Sequence, residues 1–200
     1  MNVYIDGEAI VKKTAGGRFM KIFYSPKLES VYDSWSFFEM VMTEEIGLPK
    51  DTLVLRDKSG KPFLADYTDM YFSVTHTQNH WLCVFSDTPV GIDAELRSRK
   101  IKNGEKILER FFSIREQALI NESTTPKSDL ISIWTKKEAC LKVNGLGVLK
   151  DMKNIDTENP DFDMHIKQML MSIDDGTDTL IISVCSQDEA GEINFKVLTD

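Results

Sequence analysis

Apolar and polar positions along the 200-residue chain fall into runs with two different periods. Short β-like runs come first, Asn2 to Ile5 and Phe19 to Tyr24, with Gly16-Gly17 signalling a loop between them. Residues 31–46 switch to helical spacing. Trp35, Phe38, Val41 and Met42 then share a face, and Leu48-Pro49 ends the helix. Three runs rich in β-branched and aromatic residues follow: Tyr71 to Thr75, Trp81 to Ser86 and Val90 to Glu95. The polar turns Thr77-Gln78-Asn79 and Asp87-Thr88-Pro89 separate them, and this spacing predicts an antiparallel meander.

Arg97 to Lys106 is polar, basic and interrupted by Gly104, as a connection between two halves would be. Beyond it the pattern is helical. Ser113 and Glu116 form an S-x-x-E capping box. Pro126 breaks the chain, Ser128 is placed to cap a longer helix to about Val143, and Gly145 suits the left-handed position past its end. Thr179 to Ser186 and Ile193 to Leu198 return to β-like runs. The expected fold is α+β, with an N-terminal half (1–98) and a C-terminal half (99–200), each a small antiparallel sheet packed with helices.

Composition narrows the function classes. Hydrophobic residues make up 42% and charged residues 28%, ordinary values for a soluble globular protein. The net charge of -8 argues against a broad nucleic-acid surface. No apolar run approaches the roughly 20 residues of a membrane span, and the first residues lack a basic-then-apolar signal pattern, so a cytoplasmic protein with no membrane association is expected. Cys83, Cys140 and Cys185 are widely spaced and odd in number, which predicts reduced, buried thiols.

Candidate chemistry runs through the middle of the chain, from Lys61 to Lys142. In VGIDAE, strand alternation turns Gly91, Asp93 and Glu95 one way and Val90, Ile92 and Ala94 the other. Two neighbouring carboxylates call for a cation between them, and Mg²⁺ is the usual one. A solvated polar face on an edge strand explains the same pair. On the next long helix Trp134, Glu138 and Lys142 lie at i, i+4, i+8, with Leu130, Trp134 and Leu141 centring the apolar stripe. An ordinary Glu-to-Lys helical pair accounts for Glu138 and Lys142 equally well. His76 ends the run YFSVTH, where a core or turn histidine is equally at home, and Lys61 sits in the turn Gly60-Lys61-Pro62. His80 and His165 fit no metal-ligand spacing.

The order of these elements carries more than any one of them. GKP, FSVTHT, VGIDAE, FFSIRE and WTKKEACLKVNGLG follow one another between Gly60 and Gly147. The series resembles the signature of Sfp-type 4'-phosphopantetheinyl transferases. That resemblance implies a pseudo-twofold fold with the active site between the halves. It implies transfer of the 4'-phosphopantetheine arm of coenzyme A to a serine of an acyl or peptidyl carrier protein, with Mg²⁺ as cofactor and 3',5'-ADP released. By the same resemblance Asp93, Glu95 and Glu138 are metal ligands. His76, with Thr75 beside it, and Lys61 and Lys142 contact the phosphates of CoA. Glu138 or a metal-bound water, with Glu116 behind them, accepts the serine proton, and the capping box explains Glu116 equally well. The two-half design suggests a monomer. Thr75 and Thr77 stand where the family has serines and keep the hydroxyl. The helix near Ser30 lacks the family's arginine, leaving Lys12, Lys13, Arg18, Lys21 and Lys27 as basic candidates for the adenine end. The alternative reading is a non-catalytic relative that binds CoA or a carrier protein.

Overall fold

The computed structural model describes residues 19–29, 33–143, 145, 149–159, 161–173, 176–189 and 192–198. The expected strand at Asn2 to Ile5 and the Gly16-Gly17 loop lie outside these residues. In chain order the first elements are β1 (Met20–Ser25), α1 (Asp33–Met40), β2 (Val54–Arg56), β3 (Pro62–Leu64), β4 (Tyr71–Thr77), β5 (His80–Ser86) and β6 (Val90–Leu96). There follow α2 (Gly104–Phe111), α3 (Ile114–Glu122), α4 (Pro126–Val143), β7 (His165–Ile173), β8 (Asp178–Ser186) and β9 (Ile193–Val197). The architecture is mixed α+β, with small, largely antiparallel sheets and helices packed on them.

One sheet has the order β4-β5-β1-β9 and another the order β6-β8-β7, and β2 and β3 form a separate hairpin. The two larger sheets face each other across a shared core. Strand alternation sends Met20, Ile22 and Tyr24 of β1 and Leu82 and Val84 of β5 into it from one side. Val90, Ile92, Ala94 and Leu96 of β6, with Leu180, Ile182 and Val184 of β8, enter from the other. The opposite face of the first sheet carries Phe23, Cys83 and Phe85 against Phe38, Val41 and Met42 of the α1 region. Phe38 packs on Phe72 and Phe85, with ring centroids 4.5 and 5.8 Å apart. Each such side chain contributes about 1.5–3 kcal/mol on burial. α4 covers the outer face of the second sheet through Ala139, Cys140 and Val143, which meet Cys185. α2 and α3 close over α4 with Leu108 and Ile120, and Phe112 between the two helices joins them. No helix among the described residues is long and apolar enough to cross a membrane.

Several local expectations change. The three β-runs do not form a meander. β4 and β5 are a hairpin, but β5 already has β1 on its other edge, so β6 leaves to pair with β8, Val90 opposite Ser186. β9 returns to the first sheet and pairs with β1 in parallel, Ile22 opposite Phe195. Sheet membership therefore crosses residue 98 in both directions. Trp35 is 46% exposed instead of sharing the buried face of Phe38, Val41 and Met42. From Val41 to Glu45 the helix widens into a π turn, which rotates later side chains relative to earlier ones. Pro126 opens α4 instead of breaking the chain before it, since its missing N–H is harmless in the first turn. Ser128 is accordingly inside the helix rather than capping it. The connection after β6 ends at Asn103, because α2 begins at Gly104. The capping box stands as expected: the Glu116 N–H donates to Ser113 Oγ at 3.1 Å and the Ser113 N–H to Glu116 Oε2 at 2.8 Å. Gly145 has φ +66°, the left-handed value expected past the helix. All three cysteines are free and buried.

Candidate active site

Gly91 sets the geometry. It faces α4, and a Cβ built on it would lie 2.8 Å from Val143 N and 2.9 Å from Lys142 Cβ, and closer still to the Ala139 carbonyl. Only a residue with no side chain lets the helix backbone settle on the strand here. That contact carries the alternate side chains of β6, Asp93 and Glu95, towards the α4 side chains Glu138 and Lys142.

Asp93 is 7% exposed. Its Oδ1 accepts from Thr75 Oγ1 at 3.0 Å and from Lys142 Nζ at 2.8 Å. Its Oδ2 is buried and has no hydrogen-bond partner. Lys142 Nζ donates also to the Ile92 carbonyl at 3.0 Å. Glu95 repeats the pattern one strand pitch along: Thr77 Oγ1 donates to Oε2 at 3.0 Å, and the Arg99 guanidinium pairs with Oε1. β4 thus runs beside β6 and supplies one threonine hydroxyl to each carboxylate. Burial pushes the Glu138 carboxyl above the ordinary glutamate range; the negative charge of Asp93 adds to the rise, and Lys142 and Arg99 oppose it.

These groups share a cleft of about 310 Å³ lined by Thr75, His76, Asp93, Glu95, Glu138 and Lys142, with Arg99 and Trp134 along one wall. Lys142 and Val74 also line an adjoining cavity of about 330 Å³, whose other walls include Arg56, Ser59 and Lys61. Lys61 therefore stands in the neighbouring cavity. Its Nζ donates to the last carbonyl of α4, Val143, at 2.7 Å and to Val90 O at 3.3 Å. Burial lowers its ammonium below the ordinary lysine range, against the pull of Asp57.

Glu116 stands elsewhere. It is wholly buried, and its oxygens accept from Ser113 N, from Lys137 Nζ at 2.6 Å and from the N–H and hydroxyl of Thr157 at 3.1 Å. It does not line the cleft, and its acceptor sites are filled. Its partner Lys137 escaped sequence reasoning because it sits next to Glu138 in a run of charges, yet the helix turns it into the core. The sequence places Arg99 with Arg97, Lys100 and Lys102 in a basic cluster for carrier docking or a solvated linker, not in the cleft; the signal for the cleft is its i+4 spacing from Glu95. His80 is a core residue whose Nδ1 lies 2.8 Å from Tyr24 Oη, and His165 is exposed at the start of β7. Of the basic candidates, Lys21 lies on β1 near Glu45 and Lys196, whereas Lys12, Lys13 and Arg18 are outside the described residues.

Among the described residues no three His, Cys, Asp or Glu side chains are grouped tightly enough to hold a metal ion. Asp93 and Glu95 are held by Lys142 and Arg99 instead. The orphaned Asp93 Oδ2 nevertheless fits a cation. A carboxylate oxygen withdrawn from water without a donor is unfavourable, and Asp93 acts electrostatically on a second carboxylate of like charge, Glu138. Asp93, Glu95 and Glu138 are all-oxygen donors, the chemistry a hard divalent cation takes.

The family model described as the 4'-phosphopantetheinyl transferase superfamily matches residues 89–189. The chain belongs to the 4'-phosphopantetheinyl transferase superfamily. The match runs from β6 through α4 to β8 and takes in Asp93, Glu95, Glu116, Glu138 and Lys142, while Lys61, Thr75 and His76 precede it. Among curated superfamily proteins, the chain is 30% identical over 110 residues to 4'-phosphopantetheinyl transferase gsp of Aneurinibacillus migulanus, covering 54% of this chain and 44% of that one. It is 32% identical over 91 residues to 4'-phosphopantetheinyl transferase Sfp of Bacillus subtilis, covering 44% and 39%. It is 35% identical over 100 residues to 4'-phosphopantetheinyl transferase HetI of a Nostoc species, covering 47% and 42%. The chain thus spans less than half the length of these relatives.

Proposed function

We propose that the protein transfers the 4'-phosphopantetheine arm of coenzyme A to a serine of an acyl or peptidyl carrier protein, with Mg²⁺ as cofactor. The observation that carries the reading is the cleft where β6 and α4 bring Asp93, Glu95 and Glu138 beside Lys142 and His76. The names of the relatives support it. The reading includes a pseudo-twofold arrangement of residues 1–98 and 99–200 with the cleft between them, acting as a cytoplasmic monomer. Its acidic groups come from both sides of the connection that follows β6.

Asp93, Glu95 and Glu138 would hold Mg²⁺, which when bound neutralises pyrophosphate oxygens and makes the phosphorus more electrophilic. The residues do the rest. Lys61 in the adjoining cavity binds the 3'-phosphate end of CoA. Thr75 fixes the Asp93 carboxylate through its hydroxyl. The carrier serine Oγ attacks the phosphorus on the pantetheine side, and the bond to 3',5'-ADP breaks. Lys142 and His76 stabilise the charge that grows on that leaving group. The serine proton passes to an oxygen of Glu138 that the cation leaves free. Glu116 takes no part in this scheme, since its oxygens are already filled.

The test is incubation with CoA, Mg²⁺ and a panel of apo carrier proteins, followed by mass spectrometry. A mass gain of one phosphopantetheine group is expected. EDTA should stop loading and Mg²⁺ restore it. Asp93→Ala and Glu138→Ala should each lower loading by about 100-fold or more with circular dichroism unchanged. Undiminished loading by either variant would refute the site assignment. CoA binding by calorimetry with no loading of any carrier would leave a non-catalytic relative.

A further inference from the structure

Arg99 has no counterpart in the ordered blocks that mark the family, yet it reaches into the cleft. It follows β6, where its N–H donates to the Leu96 carbonyl at 2.9 Å, and this turn folds its side chain back towards the strand. Its guanidinium pairs with Glu95 Oε1, while Thr77 holds Oε2. Both oxygens of Glu95 are therefore occupied by donors within the chain. Asp93 differs, because its Oδ2 is open. The Glu95 side chain is 15% exposed and that of Arg99 is 47% exposed, so the carboxylate is fixed whereas the guanidinium has room to swing out. Glu138 lies within the electrostatic reach of the same guanidinium.

We infer that Arg99 is an internal counter-cation that occupies Glu95 until a divalent cation displaces it, and so sets the metal affinity of this cleft. The inference rests on the proposed metal site and adds a competitor to it. The physical basis is exclusion: one carboxylate oxygen cannot keep a guanidinium hydrogen bond and enter the coordination sphere of a hard cation, and the two positive charges repel. Release costs little because the pair is partly solvated, so the competition modulates binding without blocking it. In the paired position Arg99 also lines a neighbouring cavity with Ile101, Leu130 and Trp134.

The experiment is Mn²⁺ binding to the full chain without CoA, read by electron paramagnetic resonance of the free ion and by calorimetry. Wild type is compared with Arg99→Gln, Arg99→Lys and Glu95→Gln. Arg99→Gln is expected to tighten Mn²⁺ by about two- to five-fold, and Arg99→Lys to stay near wild type. Glu95→Gln should weaken binding. The gain in Arg99→Gln should shrink as salt is raised from about 0.05 to 0.5 M, because the competing charge is screened. Equal or weaker Mn²⁺ binding by Arg99→Gln, with circular dichroism like wild type, overturns the inference. Carrier loading by wild type, assayed in parallel, keeps the two readings apart. Loading together with equal Mn²⁺ affinities removes the role of Arg99 and leaves transfer standing. Absence of both loading and Mn²⁺ binding in every form removes the metal site and the inference with it.

Discussion

Among single residues, Glu138 shows how site chemistry opposes stability. Its carboxyl is raised above the ordinary value of 4.5, first by burial and then by Asp93. A raised acid binds its proton more tightly in the folded chain than in the unfolded one. The stabilisation is full below 4.5 and is lost as pH rises through the raised folded value, so at neutral pH the ionised form is a liability. Glu138→Gln should therefore raise the melting temperature of the metal-free protein at pH 7, with the gain vanishing near pH 4, while carrier loading is lost. A melting temperature unchanged or lowered at pH 7 would contradict this. Glu116 and Lys137 behave in the opposite way. Both are wholly buried and each satisfies the other. Removing one strands a charge in the core, so Lys137→Met should cost about 3–5 kcal/mol in chemical denaturation. Adding Glu116→Leu to Lys137→Met should recover part of that loss, because the stranded carboxylate goes too. The sequence announced the Ser113–Glu116 box by spacing alone, since a capping box is a local device. It did not announce Lys137 as the partner of Glu116, because their contact bridges two helices and the loop that carries Thr157.

Among elements, the contact of α4 with β6 governs the cleft. The alternation of β6 was legible, as the two-residue period of Val90, Ile92 and Ala94 against Gly91, Asp93 and Glu95 required no tertiary information. The helical spacing of Glu138 and Lys142 was legible for the same reason. That the two faces meet was not, because β6 changes sheets, and strand pairing across about 90 residues of chain leaves no local trace. Gly91→Ala tests the contact. A methyl group meets main-chain atoms at less than van der Waals distance, so the helix must move. A loss of about 1–3 kcal/mol is expected, together with weaker carrier loading. Loading at the wild-type rate would show that the separation of Asp93 and Glu138 matters less than the geometry implies. The π turn at Val41–Glu45 is another element the pattern could not foresee, since the spacing of Phe38, Val41 and Met42 reads as an ordinary helix.

Across the whole molecule, the chain is laced together by exchange between sheets. β9 closes the first sheet from the far end of the sequence, and its Ile193 and Phe195 pack on the core shared with β6 and β8. Leu198 reaches the second core, where Phe38 and Phe85 sit. Removing residues 193–198 should expose the edge of β1 and abolish slow amide exchange in β1 and β5 alike. Exchange confined to β1 would mean that β9 covers an edge without supporting the sheet. The α+β class was readable from alternating runs, but the return of β9 to β1 was not, because a parallel pair between distant segments shares no turn.

The two close-approach glycines differ in whether damage at them can be repaired. Opposite Gly91 stand the Ala139 carbonyl and the Val143 amide, which every amino acid possesses. No second-site substitution can clear that obstruction, so revertants of a Gly91 mutant should restore glycine itself. Opposite Gly145 the first obstacle is the Ser59 hydroxyl, which Ser59→Gly would delete, but the left-handed φ of +66° would still strain any other residue there. A suppressor screen should therefore return partial second-site rescue at most for position 145 and only true reversions for position 91.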